Sequence, residues 1–118
     1  MNGWTQFAGE QFCYLTTRGR VSGRPHRIEI WFALGESTLY MLSGGRESSD
    51  WVKNLLAFPD VTVELGDRGF SGRARVVTDE AEDERARGLV HGKYATTEDD
   101  LLRWRDTALP VAVDFDAP

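Results

Sequence analysis

The chain has 118 residues, enough for one domain with its own core, and its apolar fraction of 41% argues against disorder. A net charge of −5 argues against broad nucleic-acid binding and against adhesion to anionic membranes. No apolar run reaches transmembrane length, residues 1–6 lack the basic and apolar regions of a signal peptide, and the lone cysteine, Cys13, allows no internal disulfide; these features point to the cytoplasm.

Residues 1–9 read as a lead-in with a helical turn around Trp4 and Phe7. Residues 11–17, rich in aromatic and β-branched side chains, form a predicted first strand that buries Cys13. Residues 16–27 then make a long hairpin loop. They hold four of the 14 basic residues, one of the two histidines and none of the 19 acids. Gly19 and Gly23 permit positive φ. Arginine forks suit phosphate or carboxylate, so the loop has the chemistry of an anion site. The plain alternative is a solvated turn.

In residues 26–34, Ile28 and Ile30 alternate with Arg27, Glu29 and Trp31, which predicts a second strand. Residues 35–37 turn, and residues 38–43 form a third strand antiparallel to the second. Residues 43–49 are a second glycine-rich loop, Ser43-Gly44-Gly45 first, feeding a helix. Ser48 or Ser49 can cap it, Asp50 suits its first turn, and Pro59 stops it. Trp51, Val52, Leu55 and Leu56 are spaced for one face. Such a loop offers N–H groups to an anion or a polar ring edge. The bland reading is that Gly44 and Gly45 only turn the chain and that Trp51 is core.

Residues 60–65 and 70–78 form strands four and five around a turn at 66–69. Residues 79–92 read as a helix whose acidic start complements its dipole. A second helical piece over 97–105 takes Thr97 as cap. Residues 109–115 are strand six, where Pro110 indicates an edge position or a strand opening. The predicted fold is mostly β: a six-stranded, antiparallel Greek-key barrel, with a helix after strand three and helices before the last strand.

Two histidines and one cysteine without ligand spacing argue against a metal. Gly-x-Ser-x-Gly, the P-loop and the dinucleotide fingerprint are absent. His91, in a predicted helix, reads as surface or structural. The aromatic residues Trp4, Phe7, Trp31 and Phe32 are more apolar surface than a small barrel readily hides, which predicts a homodimer.

Several segments in order carry a resemblance: Leu15-Thr16-Thr17-Arg18-Gly19-Arg20-Val21-Ser22-Gly23-Arg24-Pro25, Ile28-Glu29-Ile30-Trp31-Phe32, Leu42-Ser43-Gly44-Gly45, Asp50-Trp51-Val52-Lys53-Asn54-Leu55 and Pro59-Asp60-Val61-Thr62-Val63. Together the chain resembles the deazaflavin (F420)-dependent nitroreductase and quinone reductase family, split β-barrels related to the flavin-binding pyridoxamine-phosphate-oxidase fold. The resemblance implies binding of F420 and hydride transfer from its reduced form to a quinone, a nitro compound or a similar electrophile. It implies that Arg20, Ser22, Gly23 and Arg24 hold the phosphate and anionic tail. Arg27 and Ile28 would line the ring from strand two, and Ser43, Gly44 and Gly45 would lie against it. Trp51 and Asn54 would pack over the cofactor, and Tyr94 would stand on the substrate side. Leu101 falls where a second tyrosine is sometimes found. Hydride transfer carried by a cofactor needs no triad and no metal. Two rivals stay open: a related barrel that binds FMN, and a module that carries a cofactor without catalysis.

Overall fold

In residues 13–18 the side chains of Cys13, Leu15 and Thr17 are buried, and those of Tyr14, Thr16 and Arg18 are more exposed. That period of two is the signature of strand β1 (Cys13–Arg18). Six more strands follow in the computed structural model, which describes residues 3–116: β2 (Pro25–Ile30), β3 (Ala33–Leu34), β4 (Thr38–Ser43), β5 (Asp60–Leu65), β6 (Arg68–Val76) and β7 (Leu109–Phe115). Helix α1 (Asp50–Ala57) follows β4, and α2 (Glu80–Tyr94) and α3 (Leu102–Thr107) precede β7. Residues 1 and 2, the start of the predicted lead-in, lie outside the described residues. Its helical turn is a 3-10 turn at Thr5–Phe7.

All pairings are antiparallel, in the order β2-β1-β5-β6-β7-β4-β3. The two edge strands, β2 and β3, are joined by Trp31 and Phe32 alone. Two residues reach only about 7 Å, so the sheet must curl until its edges meet. The result is the expected mostly β split barrel. Inside it lie Leu15, Phe32, Leu39, Met41, Val63, Leu65, Val111 and Val113, with Val52 and Leu55 supplied by α1. A second cluster lies under α2, where Tyr40, Leu42 and Ala112 meet Ala86, Val90 and Tyr94. Among the described residues no helix is long and apolar enough to cross a membrane.

The sheet has seven strands where the sequence predicts six, because the second predicted strand breaks after Ile30. At the break, side chains replace the ladder. The Phe32 N–H donates to the Tyr94 hydroxyl at 3.0 Å, and the Phe32 carbonyl accepts from Lys93 Nζ at 3.0 Å. Pro110 lies at the opening of β7, but β7 is an interior strand between β6 and β4. Leu56 is 55% exposed, so the buried face of α1 is Val52, Asn54 and Leu55 without it. Helix α3 begins at Leu102 and ends at Thr107. Leu101, with φ of 55°, occupies its N-cap, and Thr97 does not cap it.

The aromatic surface from which a dimer was expected is largely used inside the subunit. Trp4 packs on Phe70 and Phe115, and its indole N–H donates to the Glu36 carbonyl at 2.9 Å. Phe32 is fully buried, and Trp31 alone of the four is a large exposed side chain, at 39%.

Candidate functional site

The β1–β2 hairpin closes over residues 19–24 through two backbone bonds, Gly19 N–H to the Arg24 carbonyl and Gly23 N–H to the Gly19 carbonyl. Gly23 has φ of 74°, which a side chain would strain. A Cβ on Gly19 would stand 2.6 Å from His26 Nε2, so a side chain there would push the His26 ring aside. Ser22 Oγ accepts the Arg24 N–H at 3.1 Å and holds the turn.

Buried Asn54 ties this loop to α1. Its Oδ1 accepts from the Arg20 backbone N–H at 3.1 Å and from Arg20 Nη1 at 2.8 Å, while its Nδ2 donates to Thr17 Oγ1 at 3.2 Å. The other guanidinium nitrogen of Arg20 pairs with Asp50 at 3.0 Å. Arg20 is therefore committed inside the chain. The Arg24 guanidinium has no hydrogen-bond or ion-pair partner among the described residues. Gly19, Arg20, Val21, Ser22, His26, Asp50 and Asn54 line a polar recess of about 270 Å³.

Strand β2 leads from this recess to a second one. Glu29, Ile30, Trp31, Leu42, Leu101 and Trp104 line a largely apolar cavity of about 510 Å³ at the meeting of the sheet's edges. His26, Ile28 and Ile30 share one face of β2 by the period of two, so His26 at the polar recess and Ile30 at the apolar one stand about 13 Å apart along one edge strand. Gly44 and Gly45 end β4 beside them. A Cβ on Gly45 would meet Ser49 Oγ at 2.5 Å, whereas a Cβ on Gly44 would meet only Trp104, at 3.8 Å. The fold itself makes little demand for glycine at 44, since a methyl there would only touch Trp104. Ser43 is buried, and its hydroxyl is held by the Arg46 carbonyl at 3.0 Å and Ser49 Oγ at 2.9 Å.

Three of the anticipated residues sit differently. Arg27 follows the opposite face of β2 from Ile28, lies over the Tyr14 ring and pairs with Glu64 at 2.9 Å, so the two cannot flank one ring within a subunit. Trp51 is half-buried against the barrel core. Tyr94 is buried, and burial raises its hydroxyl above the usual phenol range. That hydroxyl donates to the Gln11 carbonyl at 2.7 Å, with the Phe32 carbonyl at 3.0 Å as the competing acceptor. Neither its ring nor its hydroxyl lines the apolar cavity; the ring stacks at 4.2 Å under Trp31, which does. Burial also pushes the Cys13 thiol up to about 12, which keeps it protonated and unreactive. His91 Nε2 is bonded to the Asp100 carbonyl at 2.7 Å, a structural role.

The sequence reading missed Trp31 and Trp104 as cavity walls and His26 as part of the polar recess. A tryptophan in the short polar stretch before β7 was the available signal for Trp104.

A protein-family model described as F420H(2)-dependent quinone reductase matches residues 2–116. No curated protein matches the sequence. A solved structure described as an F420-H2 dependent reductase, FDR-A, superposes with a TM-score of 0.72 at 24% identity, covering 89% of this chain and 95% of that one. A Listeria innocua protein provisionally assigned as a pyridoxamine 5'-phosphate oxidase gives 0.68 at 19% identity, over 93% and 87% of the two chains. A structure described as a domain-swapped dimer gives 0.72 at 22% identity, over 89% and 81%. At these identities the structural likenesses establish the fold.

Proposed function

Because the chain belongs to the F420H(2)-dependent quinone reductase family, we propose that this F420-dependent reductase holds its cofactor in the cleft along β2 and reduces a quinone, a nitro compound or a similar electrophile there. The observation that carries this reading is the polarity gradient along one edge strand. A polar, hydrogen-bonding recess at His26, with the unpaired Arg24 on the same loop, passes through Ile28 to an apolar, aromatic recess at Ile30. A flat ring with an anionic tail has that same gradient.

Reduced F420, when bound, supplies the hydride. The chain's own part is holding and drying. Arg24 and the N–H groups of Val21 and Ser22 take the anionic tail, the loop's other N–H groups being bonded within the chain, while Arg20 and Asn54 fix that loop on α1. Ile28, Ile30 and Leu42 are apolar walls that keep water from the reacting carbons. Ser43, Gly44 and Gly45 bound the ring from β4. No acid or base is required of the protein for a hydride to pass between carbons held close and face to face. A homodimer belongs to the same proposal, and its support is now the likeness to a solved structure described as a domain-swapped dimer rather than Trp4 and Phe32.

The test is titration with F420 followed by cofactor fluorescence, then mixing reduced F420 with a quinone; sedimentation of the same sample reads the assembly. F420 is expected to bind and its reduced form to be oxidised by the quinone, with NADPH inert as donor. Binding of FMN and none of F420 would replace the proposal by the flavin rival, and binding without turnover by the carrier.

A further inference from the structure

Of the 14 basic residues only two are lysines, Lys53 and Lys93, and their settings differ. Lys53 is exposed on α1. Lys93, in the last turn of α2, is half-buried against the link that joins the sheet's edges. Its Nζ donates to the Phe32 carbonyl at 3.0 Å and stands 3.6 Å from the centre of the Phe32 ring, with the Tyr94 ring at 5.2 Å. Among the described residues no carboxylate lies within ion-pair distance of it. The titratable groups facing it are Cys13 from β1, Glu10 from the lead-in and Tyr94 from its own helix. An ammonium that has exchanged water for one carbonyl and aromatic carbon, with no counter-ion, is kept charged at a cost. Burial accordingly lowers the Lys93 amine below the usual lysine range. Cys13 and Glu10 oppose this, Cys13 only as a thiolate, which its own burial suppresses.

We propose that Lys93 is a modification site, the amine at which a small acyl phosphate acylates this chain, and that acylation loosens the seam of the barrel. A small donor suits an amine only half open to solvent. In the step, neutral Nζ attacks the carbonyl carbon of the acyl phosphate. The C–N bond forms, the C–O bond to phosphate breaks, phosphate leaves with the electron pair, and the proton from nitrogen passes to water. Nothing is oxidised or reduced. The product is an uncharged amide, so the attraction to the Phe32 ring is lost and the three donors of the ammonium become one. Lys93 and Tyr94 are the side chains that bond the Phe32 backbone, and acylation disturbs the first of them. The inference does not rest on the cofactor.

Brief treatment of the full chain with acetyl phosphate near neutral pH tests the site, with acetyl-lysine peptides quantified by mass spectrometry and Lys53 as the reference in the same molecule. Lys93 is expected to acetylate several-fold faster than Lys53, and the preference should vanish in denaturing urea, where its surroundings are gone. A rate at Lys93 equal to or below that at Lys53 in the folded chain, or a preference that persists in urea, would overturn the site. Hydrogen exchange over residues 31–34 reads the seam. Lys93→Gln, uncharged like the acylated side chain, should exchange about tenfold faster there, the size of one lost hydrogen bond, with α1 unchanged. Lys93→Arg, which keeps the charge, should stay near wild type. The acetylated wild-type chain, separated by ion exchange, gives the same reading if Lys93→Gln does not fold. Exchange equal to wild type in the uncharged forms, or equally fast in Lys93→Arg, would overturn the loosening.

Discussion

Arg20 and Arg24 stand four residues apart in one loop and are chemically alike, yet they have different partners. Arg20 is bonded to Asn54 and Asp50, whereas Arg24 offers its whole guanidinium to solvent or ligand. If F420's tail lies here, Arg24→Ala should weaken binding about tenfold, the low end for a charge-assisted bond at an exposed site. That loss should shrink in high salt, since added ions screen the wild-type attraction. Arg20→Ala should also weaken binding, but by loosening the loop from α1, and this loss should persist in salt. Cofactor fluorescence at two ionic strengths distinguishes the two; matching salt slopes would show that both arginines act alike. The sequence presented both as free cations, because nothing local announces a partner 34 positions away. The same limit hid the separation of Arg27 from Ile28. The family resemblance implied that both line one ring, but adjacent strand residues face opposite ways, and Glu64, the partner of Arg27, comes from β5 across the sheet.

Elements were legible where the pattern is local. The bounds of β4, β5 and β7 coincide with the predicted runs at 38–43, 60–65 and 109–115, each set by β-type runs between turn residues. Helix α2 starts as its acids indicate, with Asp79 as N-cap accepting the Glu82 N–H at 2.9 Å. The break between β2 and β3 was illegible because the hydroxyl that satisfies Phe32 belongs to a residue 62 positions later. Tyr94 therefore links α2 to the seam of the barrel. In Tyr94→Phe the ring and its stack under Trp31 can survive, but the Phe32 N–H is left buried without an acceptor. The expected cost is about 1–3 kcal/mol, the penalty of an unsatisfied buried donor. Urea unfolding measures it. A midpoint equal to wild type would mean that water or a shift of the link replaces the hydroxyl.

At the scale of the molecule, the curled sheet is fastened to α2 by charges that the sequence placed in helix initiation alone. Arg75 on β6 donates to both oxygens of Glu82 on α2, at 2.7 and 2.8 Å, and to Asp114 on β7, at 2.7 and 3.1 Å. Tyr40 on β4 donates to Glu82 at 2.8 Å, and Thr38 donates to Asp114 at 3.0 Å. Two strands and a helix meet at the guanidinium, and β4 joins them through the two carboxylates. Its bonds hold the Glu82 carboxyl at about 2, below the usual 4.5, and hold Asp114 below its ordinary value as well. Both carboxyls bind protons less readily in the folded chain than in the unfolded one, so their stabilisation is present above the unfolded values and lost as pH falls. For Glu82 the window runs from 4.5 down to about 2. Arg75 is 40% exposed, so solvent screening trims the gain, and the acid-sensitive part is expected at about 1–2 kcal/mol. Glu82→Gln removes the titrating group. Its urea midpoint should lie below wild type at pH 6 and converge toward it as pH falls through the window, because Asp114 titrates in both proteins but the Glu82 charge is lost in wild type alone. Circular dichroism in urea at a series of pH values reads both curves. Parallel curves down to pH 2 would mean that Glu82 is not held ionised by Arg75, and that α2 is docked by its apolar face under Val90 and Ala86 alone.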